Sequence, residues 1–295
     1  MRRLRYVLAA LGALSVGAPA EAKYLESQQF KANSAISIDP GRAYILVRSP
    51  GMEFKLLKIP TQAERVTYAV ERAAALAKAK AKYPKLASEY QADFAAYRQS
   101  VQQGTPLPEP VRPIEPTEES FAFRSLDLDN FVTIYGGRVF DKGGTQPVNL
   151  IAVAPGTYRI YGQIVSGVNG AMSTGICLCM GSVQFDAAAG TITDMGTIHN
   201  PIFEAFRDKV AANWNGLTPG KGGLTSMRVE PADSSTFMPP RLEALPHVAA
   251  KYRAAGKIDN YFGVLIDRLT PLPGVLSYRR DEVIDERTGK AVQPN

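Results

Sequence analysis

The stretch from Thr61 to Gln103 contains no glycine, is dense in alanine and carries charges throughout, whereas its flanks are punctuated by Pro-Gly pairs. Glycine and proline are the poorest helix formers, so a long segment nearly free of both is helical by default. Thr61 with Glu64 three residues on has capping-box spacing. A helix is predicted to about Tyr83, because Pro84 lacks an N–H and meets the carbonyl four residues back. Leu86, Tyr90, Phe94, Tyr97 and Val101 then follow at spacings of four, four, three and four, one apolar stripe of a helix. The first half has a thinner stripe of alanine with Val66, Val70 and Leu76. The segment reads as an α-helical hairpin or as one long kinked helix. Gly104–Glu118 adds Pro106, Pro108, Pro110, Pro113 and Pro116, which favours an extended, semi-rigid return. Residues 61–117 are therefore expected to be an arm inserted into something else.

That something else reads as β structure. Ile36 and Ile38 alternate with Ser37 and Asp39, and Pro40-Gly41 suits a type II turn, which needs positive φ at the glycine. Ala43–Val47 is a continuous apolar run, predicted as a strand buried on both faces. Ser49-Pro50-Gly51 turns the chain again, and Glu53–Ile59 is a third strand, so an antiparallel β region is expected. Further strands are predicted at Ser120–Phe123, Phe131–Tyr135, Val139–Phe140, Val148–Val153 and Thr157–Val165, the last with Tyr158, Ile160 and Ile164 on one face. Ile176–Phe185 and Thr191–Ile198 read as a hairpin with Gly190 in a left-handed position. Pro201–Trp214 and Pro246–Ala255 read as short helices. Ser226–Glu230, Tyr261–Leu269 and Val275–Tyr278 close the series as strands. The segment Pro155–Ile160 (PGTYRI) resembles the Pro-Gly-x-Tyr hairpins of prealbumin-like and Cna-B-like β-sandwiches of bacterial surface proteins. The resemblance implies a sandwich and no activity. The fold expected is mainly β and sandwich-like over 23–60 and 118–295, with the helical arm inserted, α+β overall.

The N-terminus points to export. Arg2, Arg3 and Arg5 precede an apolar run from Tyr6 to about Val16, and Ala20-Glu21-Ala22 offers small residues where a signal peptidase cuts. Residues 1–22 are read as a cleavable signal peptide, cleaved after Ala22, with the mature chain in the periplasm or outside the cell. The apolar run falls short of the roughly 20 residues of a membrane span, and no span is expected in the mature chain. Loss of three arginines and one glutamate takes the net charge from +6 to +4. That balance is far from the strong basic bias of a nucleic-acid binder.

Candidate chemistry is sparse. Cys177 and Cys179 are the only cysteines, and on a strand they share a face with Val183 and Phe185. A local disulfide is favoured, helped by a bend at Gly175 or Gly181, because extended residues two apart sit near the roughly 6.8 Å Cα limit. Two buried thiols and a soft-metal site with Met180 are the alternatives. His199 and His247 lack hydrolase or zinc spacing and read as surface or capping residues. Asp127-Leu-Asp129-Asn130 starts like a calcium loop, but Val132 and Arg138 occupy the positions of its glycine and final glutamate. Asp281, Glu282, Asp285 and Glu286 read as a charged strand edge, with paired-carboxylate hydrolysis as the alternative. Lys78, Lys82 and Lys85 share one helical face and are candidates for binding an anionic envelope polymer. No metal, cofactor or catalytic residue is assigned. The leading expectation is a non-enzymatic envelope or periplasmic protein that binds a partner protein or surface polymer. An envelope hydrolase, and a metal or redox protein using Cys177 and Cys179, stand behind it.

Overall fold

The computed structural model describes residues 26–49, 53–142, 146–166, 172–200 and 227–293. The segments read from sequence as a signal peptide (1–22), a turn at Pro50-Gly51 and a short helix at Pro201–Trp214 lie outside the described residues. The chain divides into two compact units, one containing residues 63–125 and the other residues 24–62 with 126–295.

The larger unit is built from sheets. The first contains β1 (Gln28–Gln29), β2 (Ala43–Arg48), β5 (Val148–Val153), β9 (Ile192–His199), β10 (Arg228–Glu230) and β11 (His247–Ala249), in the order β1-β5-β2-β9-β10 with β11 also on β9. The second contains β3 (Phe54–Lys58), β4 (Phe131–Ile134), β6 (Gly156–Ser166), β7 (Ser173–Cys177), β8 (Ser182–Ala187), β12 (Arg253–Ala255) and β13 (Leu265–Ile266). Its order is β12-β8-β6-β3-β4, with β7 on β6 and β13 on β7. A small third sheet joins β14 (Leu276–Arg279), β15 (Glu282–Asp285) and β16 (Lys290–Ala291).

The apolar run at β2 is explained by two separate cores. Ala43, Ile45 and Val47 join a cluster that also holds Phe54, Leu56, Tyr158, Ile160 and Phe185 of the second sheet. Tyr44 and Leu46 point the other way, into a cluster with Phe30, Phe140 and Leu150. Each such buried aliphatic side chain contributes about 1.5–3 kcal/mol, so neither face of β2 tolerates a polar residue in its middle. β2 pairs antiparallel with β5 but parallel with β9, so the region is not purely antiparallel.

The chain repeatedly changes sheets at its turns, and this overturns the expected hairpin. β8 pairs with β6 and β12, whereas β9 pairs with β2, β10 and β11, so the turn ending at Gly190 (φ +68) passes from one sheet to the other. Pro155-Gly156 likewise links β5 of the first sheet to β6 of the second. The helix expected at Pro246–Ala255 is instead β11, a crossing and β12. Its alanines fit either structure, and pairing to β9 and β8 decides between them. At the crossing, Tyr252 is buried and its hydroxyl donates to the Met195 carbonyl at 2.6 Å.

Smaller departures have local causes. Gly41 does not take positive φ. Asp39 instead accepts the Gly41 N–H on Oδ1 (2.8 Å) and the Arg42 N–H on its carbonyl (3.1 Å), the chemistry of a type I turn led by Asp. Residues 35–39, Ser120–Phe123 and Val139–Phe140 are not strands, and the strand expected at Tyr261–Leu269 shrinks to β13. Ile164 leaves the cluster of Tyr158 and Ile160, because the β3–β6 register slips at Gly162.

Candidate functional site

The smaller unit consists of one continuous helix, α1 (Gln62–Gln102), and the proline-rich segment after it. The hairpin alternative is thereby replaced by a single helix running through Pro84. An interior proline costs about 3 kcal/mol, which contacts with the return segment offset. Ser100 Oγ accepts the Leu107 N–H at 2.9 Å, Arg72 pairs with Glu118, and Tyr68 donates to the Arg124 carbonyl at 2.7 Å. The return therefore runs antiparallel to the helix. Ser100 to Arg72 is 28 helical residues, about 42 Å at 1.5 Å each. Leu107 to Glu118 is only 11 residues, about 34 Å at the polyproline rise of 3.1 Å. Even drawn straight, as its prolines favour, the return falls about 8 Å short of that rise, and the side chains of Arg72 and Glu118, which meet each other, bridge the difference. A hydrogen-bonded turn at Thr117–Ser120 follows, then Phe123 packs on Tyr68 (5.4 Å between ring centres) and Arg124 pairs with Glu71.

The expected apolar stripe faces this return only in part. Tyr90 stacks on Phe94 at 5.6 Å, Tyr97 lies tilted to Phe94 at 6.0 Å, and all three are half-buried. Leu86 and Val101 stay exposed, together with Val66 and Val70 on the helix and Leu107, Val111 and Ile114 on the return. Ile114 is 81% exposed and, with Tyr83, Arg112, Pro113 and Glu115, lines an open pocket of about 400 Å³. Lys78, Lys82 and Lys85 are all exposed, and Lys85 Nζ lies 3.7 Å from Glu89 Oε1. The pocket was missed from sequence; an isoleucine set between Pro113 and Pro116 was its only sign.

In the larger unit, Cys177 and Cys179 form a disulfide with Cα atoms 5.1 Å apart. Both are buried with Leu57, Phe131, Tyr161 and Ile164, so neither sulfur is open to a thiol or a soft metal. The two cysteines do not lie on one strand with Val183 and Phe185: β7 ends at Cys177, a turn follows, and β8 begins at Ser182. A ring this small adds only about 1–2 kcal/mol through chain entropy. Tyr161 Oη lies 3.9 Å from Cys179 Sγ, donates to the Asp259 carbonyl (3.1 Å) and accepts the Tyr261 N–H (2.9 Å). Burial pushes its phenol up to about 12, because the phenolate would lose its water. A raised folded pKa is neutral to stability below the unfolded value near 10 and costs stability as pH climbs from there to about 12. Wild type is expected to lose stability over that window, and Tyr161→Phe to lose less of it, as read by denaturant midpoints at pH 9 and 11.5. Equal losses in both would refute the assignment.

The acids and histidines do not converge. Asp127 and Asp129 lie in a one-turn helix, α2 (Leu126–Asp129), and Asp127 Oδ2 accepts the Tyr261 hydroxyl at 2.9 Å. Glu282 pairs with Arg279, Asp285 with Arg287, and Glu286 accepts the Gly274 N–H. His199 Nε2 is 2.9 Å from Glu230 Oε2. His247 heads β11 rather than a helix and contacts the Leu245 carbonyl through Nδ1 (2.9 Å). Among the described residues, no three His, Cys, Asp or Glu side chains gather as metal ligands would, and no helix is long and apolar enough to cross a membrane. No family model, no curated protein and no solved structure matches this chain.

Proposed function

We propose that this chain is a non-enzymatic exported protein, its larger unit sandwich-like, whose arm binds a partner protein or an anionic envelope polymer. The observation that carries the reading is the outer surface of the arm. Apolar side chains stand exposed on both of its strands of chain, from Val66 and Val70 to Val111 and Ile114, beside the exposed row of Lys78, Lys82 and Lys85. Exposed apolar groups set among charges are what a docking surface presents. The return gives that surface a fixed shape, which lowers the entropy cost of binding. The test is co-sedimentation of the purified chain with isolated envelopes at low and high salt. Wild type is expected to sediment at low salt and to be released at high salt. Lys78→Glu, Lys82→Glu and Lys85→Glu together should weaken binding at least tenfold if a polymer is the partner, and Ile114→Asp if a protein is. Binding unchanged in both variants and in a chain whose residues 63–125 are replaced by a Gly-Ser linker would sink the reading.

A further inference from the structure

We infer that Arg159 is an oxyanion-binding residue, one edge of whose guanidinium has no protein acceptor and matches a carboxylate or a phosphate. Arg159 lies in β6 and is 3% exposed. No protein group accepts a hydrogen bond from its Nε or its Nη2, and both atoms are fully buried. Those two nitrogens are not an arbitrary pair. They form one edge of the planar fork, with parallel N–H bonds spaced to meet two oxygens of a carboxylate or phosphate.

The chain's other well-placed arginines show what a structural guanidinium does here. Arg48 gives Nη1 and Nη2 to the two oxygens of Asp194 at 2.6 and 2.9 Å and its Nε to the Phe237 carbonyl at 2.9 Å. Arg253 grips Asp186 through both terminal nitrogens at 2.6 and 2.8 Å. Arg159 is as deeply placed as Arg48 and has neither kind of partner. Leaving a buried charge without hydrogen bonds is among the costlier arrangements a fold can keep.

The acidic groups around it do not close the edge. Asp127 acts on Arg159 through its charge, but its Oδ2 is taken by the protonated hydroxyl of Tyr261. Gln184, opposite Arg159 in the β6–β8 register, also keeps a buried Oε1 without a partner. Its amide can turn to offer N–H to an anion held on the Arg159 edge. Tyr261, beside Asp127, packs with Phe262 on the cluster of Leu57 and Tyr161, so a bound oxyanion would sit behind apolar cover where charge-assisted hydrogen bonds are strongest.

The test is isothermal titration of the full chain with inorganic phosphate and, separately, with acetate, at constant ionic strength. A saturable response to phosphate alone assigns a phosphate-type ligand, and one to acetate assigns a carboxylate. Arg159→Lys keeps the charge and loses the fork, and should weaken that response at least tenfold while Lys31→Glu, at an exposed lysine of the same unit, leaves it unchanged. No saturable response to either probe, or equal affinity in wild type and Arg159→Lys, would overturn the inference. If Arg159→Lys fails to fold, Asp127→Asn carries the test: removing the neighbouring negative charge should tighten binding several-fold, and unchanged or weaker binding overturns it.

Discussion

Asp194→Asn is expected to destabilise the chain by about 3–5 kcal/mol, because it strands a buried guanidinium. Arg48 and Asp194 are 5% and 4% exposed and meet face to face in the centre of the first sheet. The carboxylate also accepts the Gly196 N–H at 2.8 Å, and Arg48 reaches the Phe237 carbonyl. The bridge thus ties β2 and β9 to the segment around Phe237 at the point where the β2–β9 register slips. Breaking one side leaves the charge of Arg48 in a place water does not reach. The partner change Arg48→Met with Asp194→Leu removes both charges and should cost much less than the single substitution, since the desolvation penalty goes with them. Urea midpoints of the three chains decide this. A loss below about 1 kcal/mol for Asp194→Asn would show the pair to be solvated.

Gly175→Ala and Gly162→Ala should each cost about 3 kcal/mol or more, for a reason found in the backbone and not in any side chain. The Cβ added at Gly175 would stand 2.0 Å from the Gln163 carbonyl oxygen, and at Gly162 2.2 Å from that of Ile176. Both glycines also take φ values of +134 and +147, which other residues rarely adopt. The obstructing atoms are main-chain oxygens of the paired strand, so β6 and β7 would have to part. Gly137→Ala is the control: nothing lies within 4 Å of its added Cβ and its φ is ordinary. Thermal unfolding should leave Gly137→Ala within about 0.5 kcal/mol of wild type. Similar melting of all three chains would contradict the crowding.

What sequence could and could not show follows from the range of the forces involved. The run at Ala43–Val47 was legible because burial on both faces writes itself as unbroken apolarity. The helix was legible because forty residues without glycine leave few alternatives. The Ile176–Phe185 strand was misread because its interruption depends on a turn between Cys177 and Ser182, where Met180 and Leu178 look like strand residues. The β8–β9 connection was misread because a turn says that the chain reverses, not which sheet receives it. At 247–255 the choice lay with the free edges of β9 and β8, which are distant in sequence. Arg159 left one local sign, a lone charge between Tyr158 and Ile160 in an apolar strand. Whether such a charge finds a partner is decided by residues 25 and 102 positions away, Gln184 and Tyr261.

The straightness of the arm's return also bears on how its length can change through insertion and deletion. Seven residues added to α1 extend it by about 10.5 Å, and a polyproline chain covers that distance with about three residues. A lengthened helix therefore requires a smaller, simultaneous insertion between Leu107 and Pro116, while the turn at Thr117–Ser120 and its anchors at Tyr68 and Arg72 stay as they are. An insertion in the helix alone would pull the return off its far end at Ser100. Longer and shorter forms of this arm should accordingly differ by paired insertions in a ratio near two to one, the mark of two chains of unequal rise kept in step.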